Sequence, residues 1–221
     1  MLQTETYGDF STALHDRFGG RRVPVEVSIE VTHRCPLDYQ HCYNNLPMND
    51  ASARKQELSF AEHVRLLDEL VDLGCLWLLY TGGEIFARKD FLEIYTEAKK
   101  RGFLITLFTN GTMITPRVAD YLSEYRPFNI EITLYGATRE TYEALTKVPG
   151  SFDRCMKGNS TSRRTWTPAE AENRSHDRQL SRSLRDEALR GKRFGCRIQV
   201  RSARESADRL LAESAVRAAH A

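Results

Sequence analysis

Residues 75–84 read CLWLLYTGGE, a run of six largely apolar residues followed by a threonine, two glycines and a glutamate. A short, continuously apolar run is typical of a strand that is buried on both faces, as in a parallel sheet covered by helices. Cys75 opens this predicted strand. We therefore expect it to be a buried core thiol at the opposite end of the sheet from the Gly-Gly-Glu segment.

Strands and helices alternate on both sides of this segment. The other predicted strands are rich in β-branched and apolar residues, and they are 23–31 (VPVEVSIEV), 104–108 and 129–135 (NIEITLY). The predicted helices carry cap residues or apolar residues at helical spacing, and they are 59–74, 90–101, 115–122 and 139–147. The alternation predicts an α/β fold with parallel strands and right-handed crossovers, and it leaves open either a barrel or an open doubly wound sheet.

Chemically distinctive residues follow the ends of three predicted strands. Residues 35–43 (CPLDYQHCY) come soon after the first strand, residues 82–84 (GGE) follow the second, and residues 109–111 (TNG) follow the third. The carboxyl ends of parallel strands meet at one edge of a sheet, where such folds place their active sites. We therefore expect these three segments to lie close together.

The three segments together resemble the radical S-adenosylmethionine (SAM) family, whose C-x3-C-x2-C signature here has Tyr39 in place of its middle cysteine. The resemblance implies a partial TIM-like (β/α) barrel of about four parallel strands with outer helices. It also implies two cofactors, a four-iron, four-sulfur (4Fe-4S) cluster and SAM. The implied cluster ligands are Cys35 and Cys42, the implied holders of the SAM ammonium are Gly82, Gly83 and Glu84, and further implied cofactor contacts are Tyr43 and Asn110.

Residues 142–154 (YEALTKVPGSFDR) and the sequence around the cysteines resemble the SPASM-type subgroup, whose members modify peptides or cofactor precursors. The resemblance implies reductive cleavage of SAM to start the radical modification of a peptide or small precursor. The implied partners are that peptide or small-molecule substrate and an electron donor such as flavodoxin or ferredoxin. The cofactor supplies this chemistry, and the protein positions it.

Tyr39 is the main departure from the family pattern. A phenol is mostly protonated at neutral pH and is a hard oxygen ligand where a soft thiolate is needed, so we expect the activity of this chain to be impaired. Two alternatives remain open. One is a catalytically inactive, truncated homologue, and the other is a zinc-binding structural module that uses His33, Cys35, His41 and Cys42.

Residues 159–221 differ in composition from the rest of the chain. They hold 13 arginines and one lysine against 8 acidic residues, with only two aromatic residues. We divide the chain into a lead-in (1–22), a partial barrel (23–158) and an arginine-rich, poorly specified tail (159–221). Our hypotheses for the tail are disorder or a reading-frame shift or early gene end near Gly158; a nucleic-acid-binding arm is less favoured because the acidic residues are interspersed.

The formal net charge is +2, and charged residues make up 28% of the chain. This balance gives no reason to expect nucleic acid or an anionic membrane as a partner. The first residues lack the apolar run of a signal peptide, and no later stretch has the length of a spanning helix. We therefore expect a cytoplasmic protein with neither a nucleic-acid nor a membrane partner.

Overall fold

A parallel sheet forms the centre of the molecule. The computed structural model describes residues 6–18, 23–39, 42–44 and 46–165. Within these residues the strands are β1 (Glu26–Glu30), β2 (Arg34–Cys35), β3 (Leu46–Pro47), β4 (Trp77–Thr81), β5 (Leu104–Thr109) and β6 (Asn129–Ile132). The main sheet has the order β1-β4-β5-β6 with every pair parallel, and β2 and β3 form a separate short parallel pair.

Helices connect the strands of the main sheet. Within the described residues they are α1 (Tyr7–Phe18), α2 (Ala51–Gln56), α3 (Phe60–Asp72), α4 (Phe91–Lys100), α5 (Pro116–Glu124), α6 (Arg139–Thr146) and α7 (Ser151–Thr165), with a 3-10 turn at Ile85–Ala87. The predicted capping box is present at the start of α3, where Ser59 and Glu62 bond each other's backbone N–H groups. Thr115 caps α5 at its N-terminus, with Pro116 in its first turn.

The core lies between this sheet and the helices. Leu78 and Tyr80 of β4 and Ile105 and Leu107 of β5 are at most 1% exposed. Leu67 of α3 and several side chains of α4 complete the same apolar cluster. Burial of one such side chain stabilises the fold by about 1.5–3 kcal/mol. The predicted apolar strand, β4, contributes Leu78 and Tyr80 to this core.

The predicted α/β fold is confirmed, and the strand order favours the partial barrel over a doubly wound sheet. Within the described residues, neighbouring strands of the main sheet follow each other in sequence, without the reversal of order that defines a doubly wound sheet. Cys75 is buried and lies just before β4, at the amino end of that strand, as predicted.

Some boundaries differ from the prediction. The fourth predicted strand, 129–135, ends at Ile132 in the structure. The predicted lead-in contains α1, which is anchored because the Trp77 Nε1–H donates to the Tyr7 hydroxyl at 2.8 Å. The helix α7 runs through residue 158 to 165, and the rest of the predicted tail lies outside the described residues. In the part of the chain that is described, we find no helix of sufficient length and apolar character to cross a membrane.

Candidate functional site

The segment that leads into Cys35 packs directly on the end of β4. The Gly83 N–H donates to the Thr32 carbonyl at 2.8 Å, and the Glu84 N–H donates to the Arg34 carbonyl at 3.0 Å. A Cβ atom on Gly82 would lie 2.3 Å from the Thr32 carbonyl oxygen, and Gly82 has a φ of +130°. The two glycines therefore permit an approach of backbones that no other residue allows.

Glu84 lies at the centre of the sheet edge. Its carboxylate is fully buried and accepts hydrogen bonds from the Thr109 hydroxyl at 2.7 and 2.9 Å, the Asn110 N–H at 2.9 Å and the Phe86 N–H at 3.2 Å. Burial raises the pKa of Glu84 from 4.5 to about 7, and the hydrogen bonds from Thr109 and from the backbone N–H groups of Asn110 and Phe86 oppose that rise. The side chain thus connects the end of β4 to the end of β5.

Asn110 connects this carboxylate to the first cysteine. Its side-chain amide donates to the Cys35 Sγ at 3.4 Å, and its amide oxygen accepts from the Thr112 N–H and hydroxyl groups. Cys35 is 4% exposed, and burial raises the pKa of its thiol to about 12. In the protein described here Cys35 is therefore a neutral thiol held against the ends of β4 and β5.

Tyr39 lies in an aromatic cluster on the other side of Cys35. Its ring centroid is 4.6 Å from that of Tyr135, and its hydroxyl oxygen is shielded from solvent. Burial raises the pKa of Tyr39 well above the ordinary value of 10, and the neighbouring Tyr142 hydroxyl raises it further. The loop is also tied to the end of α6, because the Asp38 N–H donates to the Thr146 carbonyl at 3.0 Å.

Cys42 and Tyr43 are more exposed than Cys35. The Cys42 thiol is partly exposed and donates to the Asn44 side-chain oxygen at 3.2 Å. Tyr43 is 77% exposed, and its hydroxyl donates to Glu30 at 2.5 Å. The same carboxylate contacts the exposed His33 ring at 3.0 Å.

Cys155 belongs to this edge although no sequence pattern indicated it. It is 1% exposed and lies in α7, and its Sγ would be 3.7 Å from a Cβ atom on Gly111. Burial raises its pKa, and the neighbouring Tyr142 hydroxyl opposes that rise. Its neighbours come from α6 and from the segment that follows β5, so only the tertiary packing places this thiol near the predicted site.

A cavity of about 330 Å³ opens beside Cys35. Its wall is mainly apolar and carries one carboxylate, and the lining residues are Cys35, Pro36, Leu37, Asp38, Pro47, Met48 and Val148. Cys35 therefore lies between this cavity and the Asn110 amide.

The donor groups at the edge do not fit a cluster that needs three thiolates. The position of the third ligand holds Tyr39, whose raised pKa leaves a neutral phenol within an aromatic cluster. Among the described residues, no group of three or more His, Cys, Asp or Glu side chains is arranged to hold a metal ion. His33 bonds Glu30, and His41, the other histidine of the zinc alternative, lies outside the described residues.

The fold defines a partial α/β barrel, and the edge described here is the one at which proteins of this class place their active sites. A sequence profile of the Radical SAM superfamily matches residues 29–164. The chain belongs to the radical SAM superfamily, which confirms the resemblance. Membership implies a 4Fe-4S cluster and SAM as the cofactors of the family.

Similar proteins agree with this assignment. The chain is 31% identical over 133 residues to a PqqA peptide cyclase of Rhizobium meliloti, an alignment that covers 60% of this chain and 35% of that protein. It is 33% identical over 146 residues to an Fe-coproporphyrin III synthase of Methanosarcina barkeri, which covers 64% and 34%. The chain thus spans about a third of the length of the curated relatives it matches.

Solved structures show the same fold at low sequence identity. Streptococcus suis SuiB superposes with a TM-score of 0.56 and 17% identity, over 75% of this chain and 38% of SuiB. A methylornithine synthase (PylB) gives a TM-score of 0.51 and 20% identity, over 73% of this chain and 50% of that chain. Both comparisons support the partial barrel.

Proposed function

We propose that this chain binds SAM at the carboxyl edge of its main sheet and that its reductive cleavage of SAM is impaired. The observation that carries the proposal is the convergence of three strand ends. Glu84 bonds Asn110, Asn110 bonds Cys35, and Gly83 packs on the residues just before Cys35. These are the residues that the family resemblance assigns to the two cofactors.

The backbone of residues 82–84 has a defined role in this proposal. The Gly83 and Glu84 N–H groups already donate to the Thr32 and Arg34 carbonyls, and they hold the segment in place. Carbonyl oxygens of this segment are acceptors suited to the SAM ammonium, and the buried Glu84 side chain adds negative charge behind them at pH values above its pKa of about 7. The exposed Tyr43 ring is proposed as a further contact of the cofactor.

Tyr39 is the reason for the proposed impairment. Cys35 and Cys42 supply two of the three sulfur ligands, and a neutral phenol stands where the family has the third. A cluster with a complete set of ligands would supply the electron that cleaves SAM, and the residues present do not form that set.

The proposed substrate class is a peptide or a small precursor. Two observations favour a peptide: one relative is a PqqA peptide cyclase, and SuiB has been solved bound to its precursor peptide SuiA. The mainly apolar cavity beside Cys35 is the proposed place for a substrate side chain. A flavodoxin or ferredoxin is the proposed electron donor.

Isothermal titration of the full chain with SAM tests the proposal. We expect saturable binding by the wild type and binding weakened by about tenfold in Asn110→Ala, because a side chain assigned to cofactor contact is lost. Cys75→Ala, at the opposite end of β4, is the matched control and should bind SAM as the wild type does. Absence of SAM binding by the folded wild type would overturn the proposal.

A further inference from the structure

Arg34, the residue directly before Cys35, forms a buried ion pair with Glu57. The Arg34 Nε donates to one carboxylate oxygen at 2.6 Å, and its Nη2 donates to the other at 3.1 Å. The side chains of Arg34 and Glu57 are only 6% and 10% exposed. A two-point contact of this kind fixes the guanidinium in direction as well as in distance.

Three further hydrogen bonds make the pair part of a larger network. The Thr32 hydroxyl donates to Glu57 at 2.5 Å and accepts the Arg34 N–H at 3.1 Å. The Arg34 Nη1 donates to the Met48 carbonyl at 3.5 Å, and Met48 lines the cavity beside Cys35. The Glu57 carboxylate therefore holds both Thr32 and Arg34 in the segment that leads to Cys35.

Glu57 lies in the short connection between α2 and α3. It follows the last residue of α2 and comes two residues before Ser59, which caps α3. It is thus anchored by two helices, while Arg34 and Cys35 form only the two-residue strand β2. A two-residue strand is held in position by contacts with other segments. The ion pair between Arg34 and Glu57 is one of these contacts, and the pairing with β3 is another.

We propose that Arg34 and Glu57 are positioning residues that hold Cys35 in its buried place at the edge of the sheet. The pair acts through the backbone of Arg34, whose carbonyl accepts the Glu84 N–H. Its loss releases β2 and exposes the Cys35 thiol. The importance of the Cys35 position for cofactor binding rests on the proposed function. The role of the ion pair in holding Cys35 at that position does not.

Alkylation of each cysteine by iodoacetamide, followed by mass spectrometry, measures this release. In Glu57→Gln a buried guanidinium loses its counter-charge, so we expect Cys35 to react about tenfold faster than in the wild type. Cys75 is the internal reference, because it is also buried, at 8% exposure, and lies at the amino end of β4. Glu69→Gln is the matched control, since it removes an exposed ion pair with Arg65 on α3.

The outcomes separate positioning from general stability. A higher Cys35 rate with an unchanged Cys75 rate supports the proposal, and Glu57→Asp, which keeps the charge, should show a smaller rise. Equal acceleration of both thiols, or no change at Cys35, would overturn it. If the wild type binds no SAM, the proposed function fails, while the ratio of the two alkylation rates still decides whether the ion pair positions Cys35.

Discussion

The Thr109 hydroxyl donates to both carboxylate oxygens of Glu84, at 2.7 and 2.9 Å. Thr109 is the last residue of β5, and Glu84 follows the end of β4. The bond therefore joins two neighbouring strands at the edge where the candidate site lies. Because Asn110 bonds the same carboxylate and also Cys35, Glu84 fixes the spacing of all three site segments.

The titration of Glu84 should appear in the stability of the protein. Burial raises its folded-state pKa from 4.5 to about 7, so over that interval the folded state holds a proton that the unfolded state has lost. Stability should thus fall as the pH rises, by at most about 3 kcal/mol between about pH 5 and about pH 8. Urea unfolding at these two pH values should show a larger loss in the wild type than in Glu84→Gln. An equal loss of unfolding free energy in the wild type and in Glu84→Gln would contradict the raised pKa of Glu84.

Gly82→Ala should be far more destabilising than Gly74→Ala. Both glycines have a positive φ, which costs an alanine about 1–2 kcal/mol. A Cβ on Gly82 would also lie 2.3 Å from the Thr32 carbonyl oxygen, whereas a Cβ on Gly74 would meet nothing within 4 Å. We expect the difference in unfolding free energy to be about 2 kcal/mol or more, as measured by urea denaturation. Similar losses of unfolding free energy in the two variants would contradict the close approach of Gly82 to the Thr32 carbonyl.

The helix α7 should be sensitive to Gly158. A Cβ there would lie 1.9 Å from the Gly111 carbonyl oxygen, so Gly158→Ala should push α7 away from the end of β5 at a cost of about 1–3 kcal/mol. Ser160→Ala, at an exposed position of the same helix, is the control and should change stability little. Thermal unfolding of both variants measures the effect. An unchanged midpoint in Gly158→Ala would mean that α7 does not pack on Gly111.

The sequence predicted the main sheet because the pattern that defines each strand is local. The apolar run from Cys75 and the cap residues Ser59 and Thr115 indicate their elements without reference to the rest of the chain. The helices α1, α2 and α7 were not predicted. The helix α1 has no buried residue, and it depends on contacts such as that between Tyr7 and the distant Trp77.

The candidate site was predicted in outline, because strand ends of a parallel sheet converge wherever their motifs lie in the chain. The sequence could not show that Glu84 is fully buried and bonded to Thr109, since that depends on the register of β4 against β5. It gave no signal for Cys155 or for the pairing of Arg34 with Glu57, 23 residues apart. The roles assigned to the site residues, the domain boundaries and the cytoplasmic location stay predictions.

The proposed impairment of SAM cleavage depends most directly on Tyr39. The decisive measurement is the iron and sulfide content after anaerobic reconstitution, together with the 5′-deoxyadenosine formed from SAM, in the wild type and in Tyr39→Cys. We predict that the wild type holds no stable 4Fe-4S cluster and forms only background product, while Tyr39→Cys gains both iron and product. A wild type that holds about four irons per chain and cleaves SAM as well as Tyr39→Cys would contradict the account.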